Sequence, residues 1–188
     1  MKTELMYTYI ERLSNLLKNE QRRVGAKYGL QPVQLEALHY LNLCNRYSDT
    51  PKGVTEYLGQ TKGTVSQSLK VLEREGYITK HQDLEDKRIT HLKVSKEGKQ
   101  VLMLAIPPEL FVNACSSLKE EKQDDIINNL TILLKAIQQS NQLKTFGVCA
   151  TCRHYMRGEG EEHFCDLTKE KLSKEDAALI CLEHEEPQ

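Results

Sequence analysis

Four of the six cysteines crowd into the last fifth of the 188-residue chain. Cys149, Cys152, Cys165 and Cys181 follow the spacing C-x2-C-x12-C-x15-C. A two-residue gap lets two thiolates turn toward one ion while a later pair closes a tetrahedron, so the spacing predicts a metal-ligating set. Zinc is the expected metal. An iron-sulfur cluster on the same four thiolates, or a reversible dithiol switch at Cys149 and Cys152, are the alternatives. His154, His163 and His184 lie close enough in sequence to compete, His163 and His184 above all, which leaves a Cys3His set open. Four protein ligands leave no position for water, so the metal is expected to be structural. Residues 151–188 carry ten acids and few large apolar side chains. Such a segment buries too little to fold unaided, and metal binding supplies the missing free energy. Cys44 and Cys115 sit inside apolar periodic segments and read as small buried hydrophobes. A thiol oxidoreductase would need a βαβ pattern around Cys149 and Cys152, and none surrounds them, so no enzyme is expected.

A second chemical surface lies in "TKGTVSQSLKVLEREGYITK", residues 61–80. Val65, Leu69 and Leu72 recur at helical spacing and predict one buried side. The other side carries Thr61, Lys62, Thr64, Ser66, Gln67 and Lys70, a mixture of short donors and acceptors with long cations. Those types suit base edges and phosphates in a major groove: Gln67 matches adenine, Lys62 guanine or phosphate, and Thr64 a thymine methyl. An ordinary solvated face would have the same composition. The charge distribution argues against that plainer reading, because the formal net charge of −1 hides a basic middle. Residues 51–100 hold ten basic against seven acidic residues, whereas residues 151–188 hold five against ten. A basic middle of this kind can face phosphate.

The elements that must position these groups follow from periodicity and punctuation. An amphipathic helix runs from the N-terminus to near Gly25 or Gly29, and Pro32 opens a second. Thr50, Pro51 and Gly59 bracket a helix of about two turns. A tight turn then leads into the polar-faced helix, which Gly76 ends; short helix, turn and longer helix make a helix-turn-helix. Period-two alternation follows on either side of the charged turn "DLED", predicting two strands of a wing. Pro107 and Pro108 interrupt the next helix, and a long helix with Ser117 as its cap spans 117–140. In the tail only "SKEDAALICLEHE" reads as helical. The first residues mix charges into every turn, and no stretch approaches the roughly 18 apolar residues of a membrane span, so a soluble, cytoplasmic protein without membrane contact is expected.

This order of elements resembles the MarR family of bacterial winged-helix regulators over roughly residues 1–142. The resemblance rests on "TKGTVSQSLKVLEREGYITK", on Asp86, Lys87 and Arg88 in "EDKRITHL", and on "LKVSKEGKQ" after the wing. It implies a DNA-binding transcriptional regulator, most often a repressor, in which Arg88 enters the minor groove and Asp86 orients it. It also implies a homodimer on double-stranded DNA, released from an inverted-repeat operator by a small-molecule effector or an oxidant. The sequence offers its own reason for pairing, since the first and the 117–140 helices carry broad apolar stripes that the small helix-turn-helix core does not need. A protein-binding adaptor built on the same fold is the rival reading. The expected fold is mainly α with a small β wing: a winged helix-turn-helix with dimerisation helices over 1–142, and a small Cys-rich metal-binding module over 143–188. The family pattern supplies no role for that module.

Overall fold

The structure, a computed structural model, describes residues 1–140, 144–158 and 162–187. The expected domain junction at residues 142 and 143 therefore lies outside the described residues. Helix α1 spans Lys2–Ala26 and α2 spans Pro32–Leu43, with Pro32 at the first turn where its missing N–H costs nothing. Helix α3 (Pro51–Leu58) starts at Thr50, whose hydroxyl accepts from the Gly53 N–H at 3.1 Å. It stops at Gly59, whose φ of 60° lies in the left-handed region where a Cβ is penalised. Helix α4 (Lys62–Arg74) starts at Thr61, which caps the Thr64 N–H at 3.2 Å, and Gly76 ends it. Strands β1 (Ile78–Gln82) and β2 (Thr90–Val94) pair antiparallel, with Ile78 opposite Val94 and His81 opposite His91.

Helix α2 runs through the middle of this lobe. Leu35, Leu38 and Tyr40 are fully buried on it, against Val54 of α3, Val65 and Leu72 of α4, Ile78 of β1 and Leu92 of β2. Helix α5 (Lys96–Ala105), capped by Ser95, closes the core with Val101, Leu102 and Ala105. The two prolines then break the chain as expected, and α6 (Glu109–Ser116) follows. The long helix α7 spans Glu120–Ser140 rather than beginning at Ser117. Ser117 instead ends α6, its hydroxyl donating to the Ala114 carbonyl at 2.7 Å. A serine hydroxyl satisfies either end of a helix, and here the preceding carbonyls are the nearer orphans.

The tail holds more structure than its sequence pattern indicated. A 3-10 turn at Cys149–Thr151 leads into β3 (Tyr155–Arg157), β4 (His163–Cys165) and β5 (Glu170–Leu172), an antiparallel sheet in that order. Three-residue strands are too short to show a period of two. Helix α8 is only Lys174–Ala178, capped by Ser173. It ends early because the next residues are used as extended backbone. The Ile180 N–H donates to Leu43 O at 3.0 Å, and Asn45 N–H donates back to Ile180 O at 2.9 Å. Among the described residues no helix is long and apolar enough to cross a membrane.

Leu72 is fully buried where α4 meets α2, so truncating it leaves a cavity as well as losing transfer energy. Leu72→Ala is expected to destabilise the fold by about 2–5 kcal/mol, read as a lower denaturant midpoint at unchanged slope.

Candidate functional site

The helix-turn-helix divides α4 into two faces. Val65, Ser68, Leu69 and Leu72 are buried, while Lys62, Thr64, Ser66, Gln67 and Lys70 are exposed together with the cap residue Thr61. The Thr61 and Thr64 hydroxyls lie 3.0 Å apart, which fixes the first turn of the exposed face. At the wing tip Arg88 is 90% exposed, yet its guanidinium is held. Nε and Nη2 donate to the two Asp86 oxygens at 2.9 and 2.8 Å, and the Arg88 N–H adds a third bond at 3.0 Å. The Arg88 hydrogen bonds keep the Asp86 carboxyl below its ordinary range. Lys87 beside it is exposed. All of these groups remain open to solvent, so the tail covers none of them.

At its base the wing is tied to the segment between α2 and α3. Asp49, almost completely buried, accepts from the Leu92 N–H through its carbonyl at 2.7 Å. Its carboxylate meets His91 Nδ1 at 2.5 Å and Lys93 Nζ at 3.6 Å. His91 Nε2 reaches Asp83 at 3.1 Å, and Asp83 in turn accepts from the Glu85 and Asp86 N–H groups at 2.8 and 2.7 Å. Burial works to lower the His91 pKa, but the two carboxylates outweigh it and the net displacement is upward.

The four tail cysteines are all buried and line one cavity of about 30 Å³, together with Tyr47, His154, Tyr155, Leu167, Thr168 and Glu183. Cys149 and Cys152 flank the 3-10 turn, Cys165 ends β4, and Cys181 follows the extended Ile180. A hydrogen bond within the Cys149 and Cys181 pair raises the Cys149 thiol and draws Cys181 down to about 6. The Cys152 sulfur accepts from the Glu185 N–H at 3.4 Å. Among the described residues no group of three or more His, Cys, Asp or Glu side chains is already arranged to hold a metal ion. The thiols share a cavity without being drawn in around a point.

Of the competing histidines, His163 bonds the Tyr155 hydroxyl at 2.5 Å. His184 is buried with its two ring nitrogens on the Thr145 and Thr151 hydroxyls at 2.6 and 3.1 Å. Any Cβ at residue 147 would strike the His184 ring, which is why a glycine stands there. Only His154 of the three faces the thiols. Cys44 is a buried thiol with its pKa pushed up to about 12 by burial, and Cys115 is half-buried on α6.

Residues 28–89 match the model of the MarR family. The matched stretch runs from the turn after α1 through α2, α3, α4 and β1 and ends just before β2. The transcriptional repressor MprA of Escherichia coli (strain K12) is 24% identical over 131 residues, 69% of this chain and 74% of that protein. The S. aureus MepR in its DNA complex is 26% identical with a TM-score of 0.56, covering 69% of this chain and 97% of MepR. A MarR transcriptional regulator from Methanosarcina mazei Go1 shares the fold with a TM-score of 0.62 at 22% identity, over 72% of this chain and 98% of its own. The solved MarR-type chains are nearly exhausted by the match, while part of this chain is left over.

Beyond the MarR-like pattern, the residues that sequence reasoning missed are Asn45, Ser48, Asp49 and His91. Asn45, Ser48 and Asp49 lie in a short polar run that reads as a loop, and composition gives no sign that all three are buried. His91 was placed on its strand, but its partners are 42 and 8 residues away.

The upward shift of His91 has a sign that can be tested. Its folded pKa stands above the unfolded value of 6.5, so the bridge from Asp49 through His91 to Asp83 stabilises the wing fully below that pH. The contribution is lost as pH rises through the folded pKa. An NMR titration of the His91 ring is expected to give a value above 6.5 that falls in Asp83→Asn; a value at or below 6.5 would contradict the bridge.

Proposed function

We propose that the chain is a sequence-specific DNA-binding transcriptional regulator, a repressor, that grips an inverted-repeat duplex as a homodimer. The observation that carries this reading is the exposed polar and cationic face of α4 on the same winged helix as Arg88 braced by Asp86. A helix of this kind enters the major groove with its first residues against base edges. An arginine already oriented loses less rotamer freedom when it docks in the neighbouring minor groove. The similarity to MepR, seen bound to DNA, and to the repressor MprA supports the same assignment.

Dimerisation is supported by what the monomer leaves uncovered. Helices α6 and α7 bury none of their residues, and α7 exposes Ile126, Ile127, Leu130, Leu134 and Ile137 along one side. Helix α1 exposes Leu5, Tyr9, Leu13 and Leu16. Contiguous apolar faces of this extent mark an interface, and a second copy is the partner that two-fold DNA recognition calls for. Two α4 helices then stand about one DNA turn apart, at roughly 34–36 Å. Release follows from a small-molecule effector or an oxidant.

Within this reading Cys149, Cys152, Cys165 and Cys181 hold one zinc ion. The four thiols line one cavity, and four thiolates with no open position are the ligand set of a tetrahedral structural zinc.

Binding to duplex DNA should fall steeply with salt, and Arg88→Ala should weaken it by roughly tenfold or more with folding intact. Lys62→Ala should reduce the salt slope by about 1 if Lys62 meets a phosphate. Unchanged binding in Arg88→Ala would overturn the placement of the wing. Independently, the double variant Ile127→Glu, Leu130→Glu should sediment as a monomer at concentrations where the parent is a dimer; a parent that is itself monomeric would rule out the pairing.

A further inference from the structure

The geometry points to the four-thiol centre as a metal-operated control of the wing, in which a thiophilic divalent cation such as zinc, bound by Cys149, Cys152, Cys165 and Cys181, sets the grip on DNA through residues 45–49. This deepens the reading above and rests on its zinc site.

The tail is joined to the winged helix by backbone, not by surface contacts alone. Residues 179–182 are threaded between the end of α2 and residues 147–149. Besides the two bonds of Ile180 to residues 43 and 45, Cys149 N–H donates to Leu179 O and Cys181 N–H to Gly147 O, both at 3.0 Å. One residue further on, the Leu182 N–H donates to the Ser48 hydroxyl at 2.8 Å, and that hydroxyl donates to Asn45 Oδ1 at 2.8 Å. Arg46 fastens the outside of the same loop, bonding Glu170 at 3.1 Å and the Lys171 carbonyl at 2.7 Å.

Inside the loop, Asn45 is 1% exposed and its Nδ2 has no hydrogen-bond partner. The Asn45 side chain lies beside the Cys181 sulfur, where it favours the thiolate. A buried amide in that position is completed by an N–H···S bond to a metal-bound thiolate, as is usual around thiolate sites. Thr168, whose buried hydroxyl stands beside Tyr47, lines the thiol cavity itself. The far end of the loop is Asp49, with its bonds to Leu92, His91 and Lys93 and, through His91, to the Asp83 turn that shapes the tip carrying Asp86 and Arg88. Five consecutive residues thus have the thiols at one end and, at the other, strand β2 directly and the turn after β1 through His91.

Removal of the metal leaves four buried thiols and, inside the tail, a small apolar cluster of Cys149, Cys165 and Leu172 with Tyr47 and Tyr155. Asn45 and Ser48 lose their orientation with it, and Asp49 no longer sits rigidly under the wing.

The test uses the full chain purified without added metal, then stripped with a chelator and reloaded with zinc. One zinc per chain is expected. Stripping should speed amide exchange at Leu92 and residues 85–89 and weaken binding to a duplex selected from a random pool by roughly 5–150-fold, the ordinary range of coupling between sites. Asp49→Asn should keep one zinc per chain while its wing exchange and DNA affinity no longer respond to stripping. Zinc that is bound and removed with no change in wing exchange overturns the coupling and leaves the site standing. A chain that takes up no zinc overturns both. Because wing exchange is read without DNA, a protein that never binds a duplex would sink the regulator reading alone.

Discussion

Asp49 is the constraint on which the arrangement depends. A carboxylate so deeply buried is tolerated only with its partners in place, and this one has them on a single strand, the His91 ring and the Lys93 ammonium, while the Leu92 N–H between them holds the Asp49 carbonyl. Losing one partner of a fully buried ion pair costs about 3–5 kcal/mol. The loss here is smaller, since the His91 side chain keeps 21% of its surface exposed. It is still large beside the near-zero value of the exposed ion pairs elsewhere on the chain. The wing is therefore held by chemistry located in the loop before α3, not by the hairpin itself. A two-stranded hairpin alone is marginal in water.

The same economy governs the face presented to DNA. Thr61 ends a tight turn at Gly59 and caps α4, so the residues that begin the recognition helix also determine where it starts. Val65, Leu69 and Leu72 fasten the helix to α2 and leave Lys62, Gln67 and Lys70 with no structural duty. Arg88 is the opposite case: fully solvated, but with its guanidinium plane fixed by Asp86. Such a bond contributes little to folding. It removes freedom that docking would otherwise have to remove, which is where an exposed Arg–Asp bridge has value.

How much of this was legible depended on the range of the interaction. Caps, prolines and the left-handed glycines act within a few residues, so Thr50, Pro32, Gly59 and Gly76 placed the helix-turn-helix correctly from sequence, while Thr61, read only as part of the polar face, also caps α4. Ser117 misled because its hydroxyl serves either helix end. The convergence of the four cysteines followed from spacing, but the choice among histidines did not. His184 stands three residues from Cys181 and is turned toward Thr145 and Thr151, whereas His154, less favoured by spacing, faces the thiols. Side-chain direction around a sheet of three-residue strands has no periodic signature. Asn45, Ser48 and Asp49 were hidden for a stronger reason: their partners lie 42 to 134 residues away, and a polar loop looks solvated until something docks on it.

Which neighbours the tail moves with is decided by the kind of contact it makes. Toward α7 its contacts include Lys135 with Glu186, the Gln139 amide with the same carboxylate and the Gln138 amide with the Thr145 carbonyl at 3.0 Å, and next to them Lys144 pairs with Glu183 inside the tail itself. The Lys135 and Glu186 side chains are 54% and 28% exposed, and pairs of that sort are worth about 0–1 kcal/mol. Toward the winged helix it has main-chain bonds to residues 43 and 45 and the buried bond to Ser48. Each buried donor or acceptor left unmade there costs about 1–3 kcal/mol. The contacts with the lobe are therefore the stronger set, and they are cooperative, because Ser48 and Asn45 orient one another. If the pairing helices swing relative to the lobe in a dimer, the α7 contacts are the ones that yield. Thiol centre, loop and wing are then tied more firmly to one another than to α7.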